Sequence, residues 1–465
     1  MNGEAQYPAN IEINAYTGKS VASGVIASTG KKWPLTTKPP ERYRFLKPPA
    51  EPEWTDWNHP NVGWGLIAPM PLGFTTAQLR DNIDLPDCLR NLIAKRNDAP
   101  VFRYDSTWPQ AFSHVHNLKD GSDISLGNSP SGIGSGCLPK YLLIWATPQE
   151  IPWEIQYAQQ GSRFVGRVPL MEPELSNYVS ALTEDWSDCE CDPNSPVVWA
   201  VDHGHPDITH LMSSVVAKRV YADLAADQQI GAKASWLSGT GDATGARLID
   251  RLSKSKPALV VTTSHGKTTL GSKAELARDL GVPVDQDHQP LDTVQLLHNW
   301  PPNGAVWYAH ACCSAGSMEK SVFIDLVEPT STIAKVLRAV SNLGSRVAPL
   351  PMRLLGHKRP ARAFIGHVEP TFNWTLRHPS TGQIFTDGLR SALYNRLLRP
   401  SPVGYAMQRV YENLGTVRAT YENIAAHFDG TDASRAEMLY HNLVAQDLRT
   451  MVLLGDPTAT LPALK

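Results

Sequence analysis

The sequence predicts an α/β fold: a doubly wound, mostly parallel sheet with flanking helices, preceded by a smaller α/β subdomain. Three observations predict it. Apolar runs of strand length recur along the chain and alternate with longer helical patterns. Two of these runs, Ala258-Leu-Val-Val-Thr-Thr-Ser264 and Ala305-Val-Trp-Tyr-Ala-His-Ala311, open on continuous apolar residues, as strands buried on both faces do. Each leads into small or polar residues, His265-Gly266 and Cys312-Cys313-Ser314-Ala315-Gly316, and the ends of parallel strands are where such sheets carry ligands and reactive groups.

Taken in order, residues 1–58 are rich in proline (Lys38-Pro39-Pro40, Lys47-Pro48-Pro49) and read as an extended segment, because proline fixes φ and removes a donor. Gly63–Ala68 reads as a first strand. Thr76–Lys95 reads as a helix, with Leu79, Ile83, Leu89 and Leu92 on its apolar face. Tyr141–Trp145 and Ser162–Val168 read as strands, with a helix over Glu172–Glu184. These make an N-terminal α/β unit over 59–190. The polar stretch Asp185–Pro196 marks a boundary, and a second unit follows over 195–465. It opens with the strand Val197–Val201 and a helix over Ile208–Ala225. A helix near Ala243–Ser253 precedes the two buried runs. A strand follows at Arg362–Gly366, then long helical patterns over 383–427 and 431–447. A closing strand at Leu448–Leu454 comes before Gly455-Asp456-Pro457.

Composition narrows the function classes. With 465 residues and 42% apolar content the chain can bury a sizeable core. A net charge of -2 gives no global pull toward nucleic acid or anionic membrane, so neither is an expected partner. No apolar run reaches the length of a membrane span. Met1-Asn2-Gly3-Glu4-Ala5 has neither the basic nor the apolar region of a signal peptide. Six cysteines are too sparse for a disulfide framework. A reduced, cytoplasmic protein is expected. Cys189-Glu-Cys191 lacks zinc spacing, and Gly239-Thr-Gly-Asp-Ala-Thr-Gly245 lacks dinucleotide spacing and reads as the turn into a helix, so neither a metal nor another cofactor is expected.

The chemistry sits at the two strand ends. His265 stands roughly 50 positions before Cys312, the order and spacing of caspase-type thiol peptidases. A thiol needs a base to become a nucleophile, and a His on the neighbouring strand end supplies one. Gly266 leaves a backbone N–H open, as an oxyanion donor requires. Cys312 and Cys313 compete. Neighbouring strand residues point to opposite faces, so at most one of them faces a pocket, and the Ala-Cys position favours Cys312.

From about residue 60 onward the chain resembles the gingipain-type branch (peptidase family C25-like, clan CD) of the caspase-fold cysteine peptidases. The likeness rests on four segments around His-Gly and Ala-Cys. They are Tyr141-Leu-Leu-Ile-Trp-Ala-Thr-Pro148-Gln-Glu-Ile-Pro152, Phe164-Val-Gly166-Arg167-Val, Ala361–Trp374 and Leu453-Leu-Gly455-Asp456-Pro457-Thr458. The resemblance implies a Cys312–His265 dyad, an oxyanion hole from the N–H groups of Gly266 and Cys312, and Asp202 as the acid that orients His265. It places Asp207, in Gly204-His-Pro-Asp-Ile-Thr-His210, at the base of an S1 pocket for a P1 Arg or Lys, with Trp374 as a wall of that pocket. Asp207 equally reads as the cap of the helix after it, and Trp374 as a packed core aromatic.

The expected activity is therefore an intracellular cysteine endopeptidase acting on protein substrates after a basic P1 residue. It would be latent until an upstream protease or regulator acts, in a defence or cell-death setting as bacterial relatives of that fold suggest. The basic strap over 31–47 is a candidate pro-segment, and Arg353–Arg362 a candidate processing loop. A different class is also compatible: a catalytically silent protein that binds partners through the same fold.

Overall fold

The computed structural model describes residues 10–18, 21–28 and 52–465. The basic strap over 31–47 lies outside them. The strands of the first part are β1 (Asn10–Tyr16), β2 (Val21–Val25), β3 (Trp64–Pro69), β4 (Val101–Tyr104), β5 (His114–Asn117), β6 (Ser122–Ser125), β7 (Tyr141–Ile144) and β8 (Phe164–Arg167). The next five are β9 (Val197–Ala200), β10 (Ser235–Ser238), β11 (Leu259–Thr263), β12 (His265–Lys267) and β13 (Pro283–Val284). The last are β14 (Val306–His310), β15 (Gly316–Ser317), β16 (Arg346–Val347), β17 (Ala363–His367) and β18 (Met451–Gly455).

Twelve strands form one sheet in the order β10-β9-β11-β14-β17-β18-β8-β7-β3-β4-β5-β6. Its pairs are parallel except β17–β18, β4–β5 and β5–β6. The fold is thus a mixed α/β structure around a large, mostly parallel sheet with helices on its faces. The central strands β9, β11 and β14 are buried at every position. This follows from their continuous Val, Leu, Trp and Tyr content, since helices cover both faces of such a sheet. Within this core the Trp307 indole N–H donates to Thr262 Oγ1 at 3.0 Å.

β3 to β8 come from one half of the chain and β9 to β18 from the other, yet they share one sheet. The C-terminal strand β18 inserts between β17 and β8, with Leu454 opposite Arg167. Two of the sequence segments meet here. A Cβ on Gly166 would lie 2.0 Å from the Gly455 carbonyl oxygen, so only glycine lets the strands approach. Beside them the buried Asp456 accepts from the Trp64 indole N–H at 3.0 Å and faces Arg96 at 3.5 Å, and its own N–H donates to the Tyr178 hydroxyl at 2.6 Å.

Four expectations change. The helical pattern over 383–427 divides into Asp387–Arg390, a π-turn at Ser391–Arg396 and Val403–Ala426, because Pro400 and Pro402 interrupt it. The helix over Thr76–Lys95 is two helices, Thr76–Arg80 and Asp87–Lys95, because Asn82 takes a positive φ and Pro86 starts the second one. The helix expected over Ile208–Ala225 contains a π-turn at Ser213–Ala217. Part of the N-terminal segment expected to be merely extended is regular structure: β1 and β2 pair as an antiparallel hairpin. A four-stranded sheet, β13-β12-β1-β2, carries that hairpin across the ends of β11 and β14. Among the described residues no helix is long and apolar enough to cross a membrane.

Gly166→Ala is expected to destabilise the chain by about 2 kcal/mol or more, since backbone must move to admit the methyl group. Urea unfolding measures this, and a loss below about 0.5 kcal/mol would show that the β8–β18 approach is not tight.

Candidate active site

The parallel register of β11 and β14 sets Thr263 opposite His310, so the residues that follow each strand end come out side by side. Those residues are Ser264-His265-Gly266 and Ala311-Cys312-Cys313. Their approach is close: a Cβ on Gly266 would lie 1.9 Å from the Cys312 carbonyl oxygen and 3.0 Å from its nitrogen. Glycine is required after His265 for that reason. The structure brings His265, Gly266 and Cys312 together at one edge.

Asp207 also reaches this edge. Its Oδ2 lies 3.1 Å from His265 Nε2, while its Oδ1 caps the helix Ile208–Met212 by accepting from the Thr209 N–H at 2.8 Å. Burial disfavours the ionised carboxyl, but the hydrogen bond and charge of His265, with the bonds from Thr209, outweigh it and bring Asp207 down to about 2. Asp202 points elsewhere. Its carboxylate sits 3.1 Å from His210 Nδ1 and accepts from the Gly204 N–H. The acid beside His265 is Asp207 rather than Asp202. Trp374 lies in the turn Asn373–Thr375, packed into the buried cluster that includes Cys312, Ile13 and Phe372.

His265 is fully buried, and with Nε2 on Asp207 its Nδ1 has no hydrogen-bond partner among the described residues. The His203 ring stacks at 5.7 Å from that of His265 and at 4.0 Å from that of His288, and Tyr16 stacks on His288 at 4.9 Å. Burial, helped by the neighbouring His288 and His265, holds His203 down to about 4, so it is neutral in this stack.

Cys312 and Cys313 are both fully buried, and burial pushes both thiols well above the ordinary cysteine range. The Thr371 N–H donates to Cys312 Sγ at 3.3 Å. Cys313 turns away: its φ of 56° and its N–H bond to the Glu369 carbonyl aim it back beneath the loop. All six cysteines are free.

The unexpected component is β1. It pairs parallel to β12, with Ala15 opposite Gly266 and Tyr16 opposite Lys267. Lys267 gives its N–H to the Val282 carbonyl and Thr268 gives its own to Tyr16. In such a ladder alternate residues face alternate sides, so the Gly266 N–H is directed at the Asn14 carbonyl. The Cys312 N–H donates to that same oxygen at 3.2 Å. The Asn14 N–H donates to the Thr371 carbonyl at 3.2 Å, and Ile13 bridges Phe372 in the antiparallel sense. A composition reading of the proline-rich segment passes over this strand. The signal for it is the alternation Ile11-Glu12-Ile13-Asn14-Ala15.

No family model and no curated protein matches this chain.

Beneath the loop, Glu369 is buried with its Oε2 accepting from the Ser321 hydroxyl, and burial pushes it up to about 8. A carboxyl raised on folding stabilises the fold below its unfolded pKa, and that contribution is lost as pH rises through the folded value. Glu369→Gln keeps the shape and cannot ionise. Its stability relative to wild type should rise between about pH 5 and about pH 9 in urea unfolding, and a difference flat in pH would contradict this.

Proposed function

We propose that this chain is a caspase-like cysteine endopeptidase of the gingipain type, acting on extended segments of protein substrates with Cys312 as nucleophile and His265 as base. One observation carries the reading: the N–H groups of Gly266 and Cys312 are both directed at a single peptide carbonyl oxygen, that of Asn14, beside a His265–Asp207 pair. Two backbone donors converging on one carbonyl next to a thiol and an imidazole are what acyl transfer needs.

In the mechanism His265 Nδ1, the free ring nitrogen, takes the Cys312 proton. The sulfur attacks the carbonyl carbon, and negative charge collects on the oxygen held by the two N–H groups. The C–N bond breaks and the amine leaves with the proton from His265. Water, deprotonated by His265, then hydrolyses the thioester. Asp207 fixes the His265 tautomer and supports the imidazolium. Asp207 thereby takes the orienting role expected of Asp202. It also faces the imidazole rather than a P1 cation, which removes the basis for basic P1 selection at that residue.

The full burial of Cys312 beneath β1 favours a second reading in the present state, a silent peptide-binding protein. Asn14→Asp separates the two. It sets a carboxylate against the carbonyls of Ser264 and His310 that the Asn14 amide now contacts, and so unseats β1. In that background a fluorogenic peptide panel should be cleaved, Cys312→Ala should abolish the cleavage and Cys313→Ala should spare it. Asp207→Asn should lower kcat by about 100-fold or more, and Asp202→Asn by less than about 5-fold. Equal losses at Asp202 and Asp207 would break the assignment of the orienting acid.

A further inference from the structure

Resting on the peptidase reading, we propose that the cleft selects asparagine at P1, and that β1 is its resident occupant, with Asn14 in the P1 position and Ala15 in P1′. Backbone contacts on both sides of the Asn14–Ala15 bond support this. The Asn14 carbonyl meets the Cys312 and Gly266 donors, its N–H meets the Thr371 carbonyl, and Tyr16 continues along β12. The pairing of β1 with β2 breaks between Ile13 and Tyr16, where a bulge turns Asn14 and Ala15 toward the strand ends.

The Asn14 side chain reads the pocket. It is fully buried, and its Nδ2 donates to the Ser264 carbonyl and, at 3.2 Å, to the His310 carbonyl. Two neutral backbone acceptors at this depth fit the –NH2 of a carboxamide, and recognition rests on that group, since Oδ1 has no partner among the described residues. A carboxylate would be repelled by both. An aliphatic side chain would leave both carbonyls without this donor. An arginine would carry its charge several bonds beyond them, and the acid once expected for it, Asp207, is on His265.

Because β1 is tethered, it competes with substrate at high effective concentration. The fully buried Cys312 thiol resists ionisation, burial outweighing the opposing Thr371 N–H on its sulfur, and so leaves the resident strand uncut.

The test uses full-length wild type and Asn14→Asp, each with and without Cys312→Ala, and the peptides acetyl-Ile-Glu-Ile-X-aminomethylcoumarin with X = Asn, Asp, Gln, Arg or Leu. Iodoacetamide labelling reports access to Cys312 independently of turnover. The proposal expects Asn14→Asp to cleave X = Asn about 100-fold faster than any other X, and wild type to be at least about tenfold slower. Faster Cys312-dependent cleavage after Arg or Leu keeps the peptidase and overturns asparagine selection. Wild type as active and as readily alkylated as Asn14→Asp overturns residence of β1. No cleavage of any peptide by an alkylatable Asn14→Asp, or cleavage that survives Cys312→Ala, overturns the peptidase reading itself. A wild-type arm covers the case in which the variant misfolds. The peptide aldehyde acetyl-Ile-Glu-Ile-Asn-H should speed amide exchange of residues 10–16 and the Arg aldehyde should not, and equal effects overturn the selection.

Discussion

The register between β11 and β14 governs the site. With Thr263 opposite His310, the chain leaves both strands at the same level, and His265-Gly266 and Cys312 emerge within backbone contact. A slip of one residue would turn every side chain of one strand to the other face and separate the pair. Burial of both strands on both faces fixes that register, because a slip would also drive Thr262 and Trp307 out of their mutual hydrogen bond. Site geometry is thus a consequence of core packing, and Gly266 and Gly281, against the Cys312 and Cys313 carbonyls, are positions where side-chain volume is forbidden.

The same sheet explains how distant parts of the chain serve one edge. β18 joins the two halves, and Gly166, Gly455 and Asp456 form the seam. Asp447, on the helix that ends where β18 begins, accepts from the Phe372 N–H and the Thr371 hydroxyl. It thereby anchors the loop whose backbone meets both Asn14 and the Cys312 sulfur. Burial, outweighing those hydrogen bonds, pushes Asp447 up to about 7. Stability of the seam and shape of the cleft are therefore linked through one short run, from Asp447 to Gly455.

Much of this was legible in the sequence. The buried runs ending at Ser264 and Ala311 are strands because continuous β-branched and aromatic residues leave no other way to bury both faces. Three features were not legible. The carboxylate on His265 is Asp207 rather than Asp202. The turn through Gly204, with its φ of 79°, and the helix cap at Asp207 swing the later residue inward, and spacing alone does not encode that swing. The helix break at Asn82–Pro86 was carried by a proline that the apolar periodicity overrode. β1 is masked because the prolines of 34–52 set the character of the whole segment, and its partner β12 lies some 250 positions away, beyond any local pattern.

The proposed peptidase activity requires Cys312 to be a nucleophile activated by His265. The most direct measurement is mass-mapped labelling of the unseated chain, Asn14→Asp, by a peptidyl acyloxymethyl ketone, with His265→Ala as the comparison. A single adduct on Cys312 is expected, with a rate of formation that falls at least about 100-fold without His265. An adduct on Cys313, or labelling of Cys312 that is indifferent to His265, would contradict it.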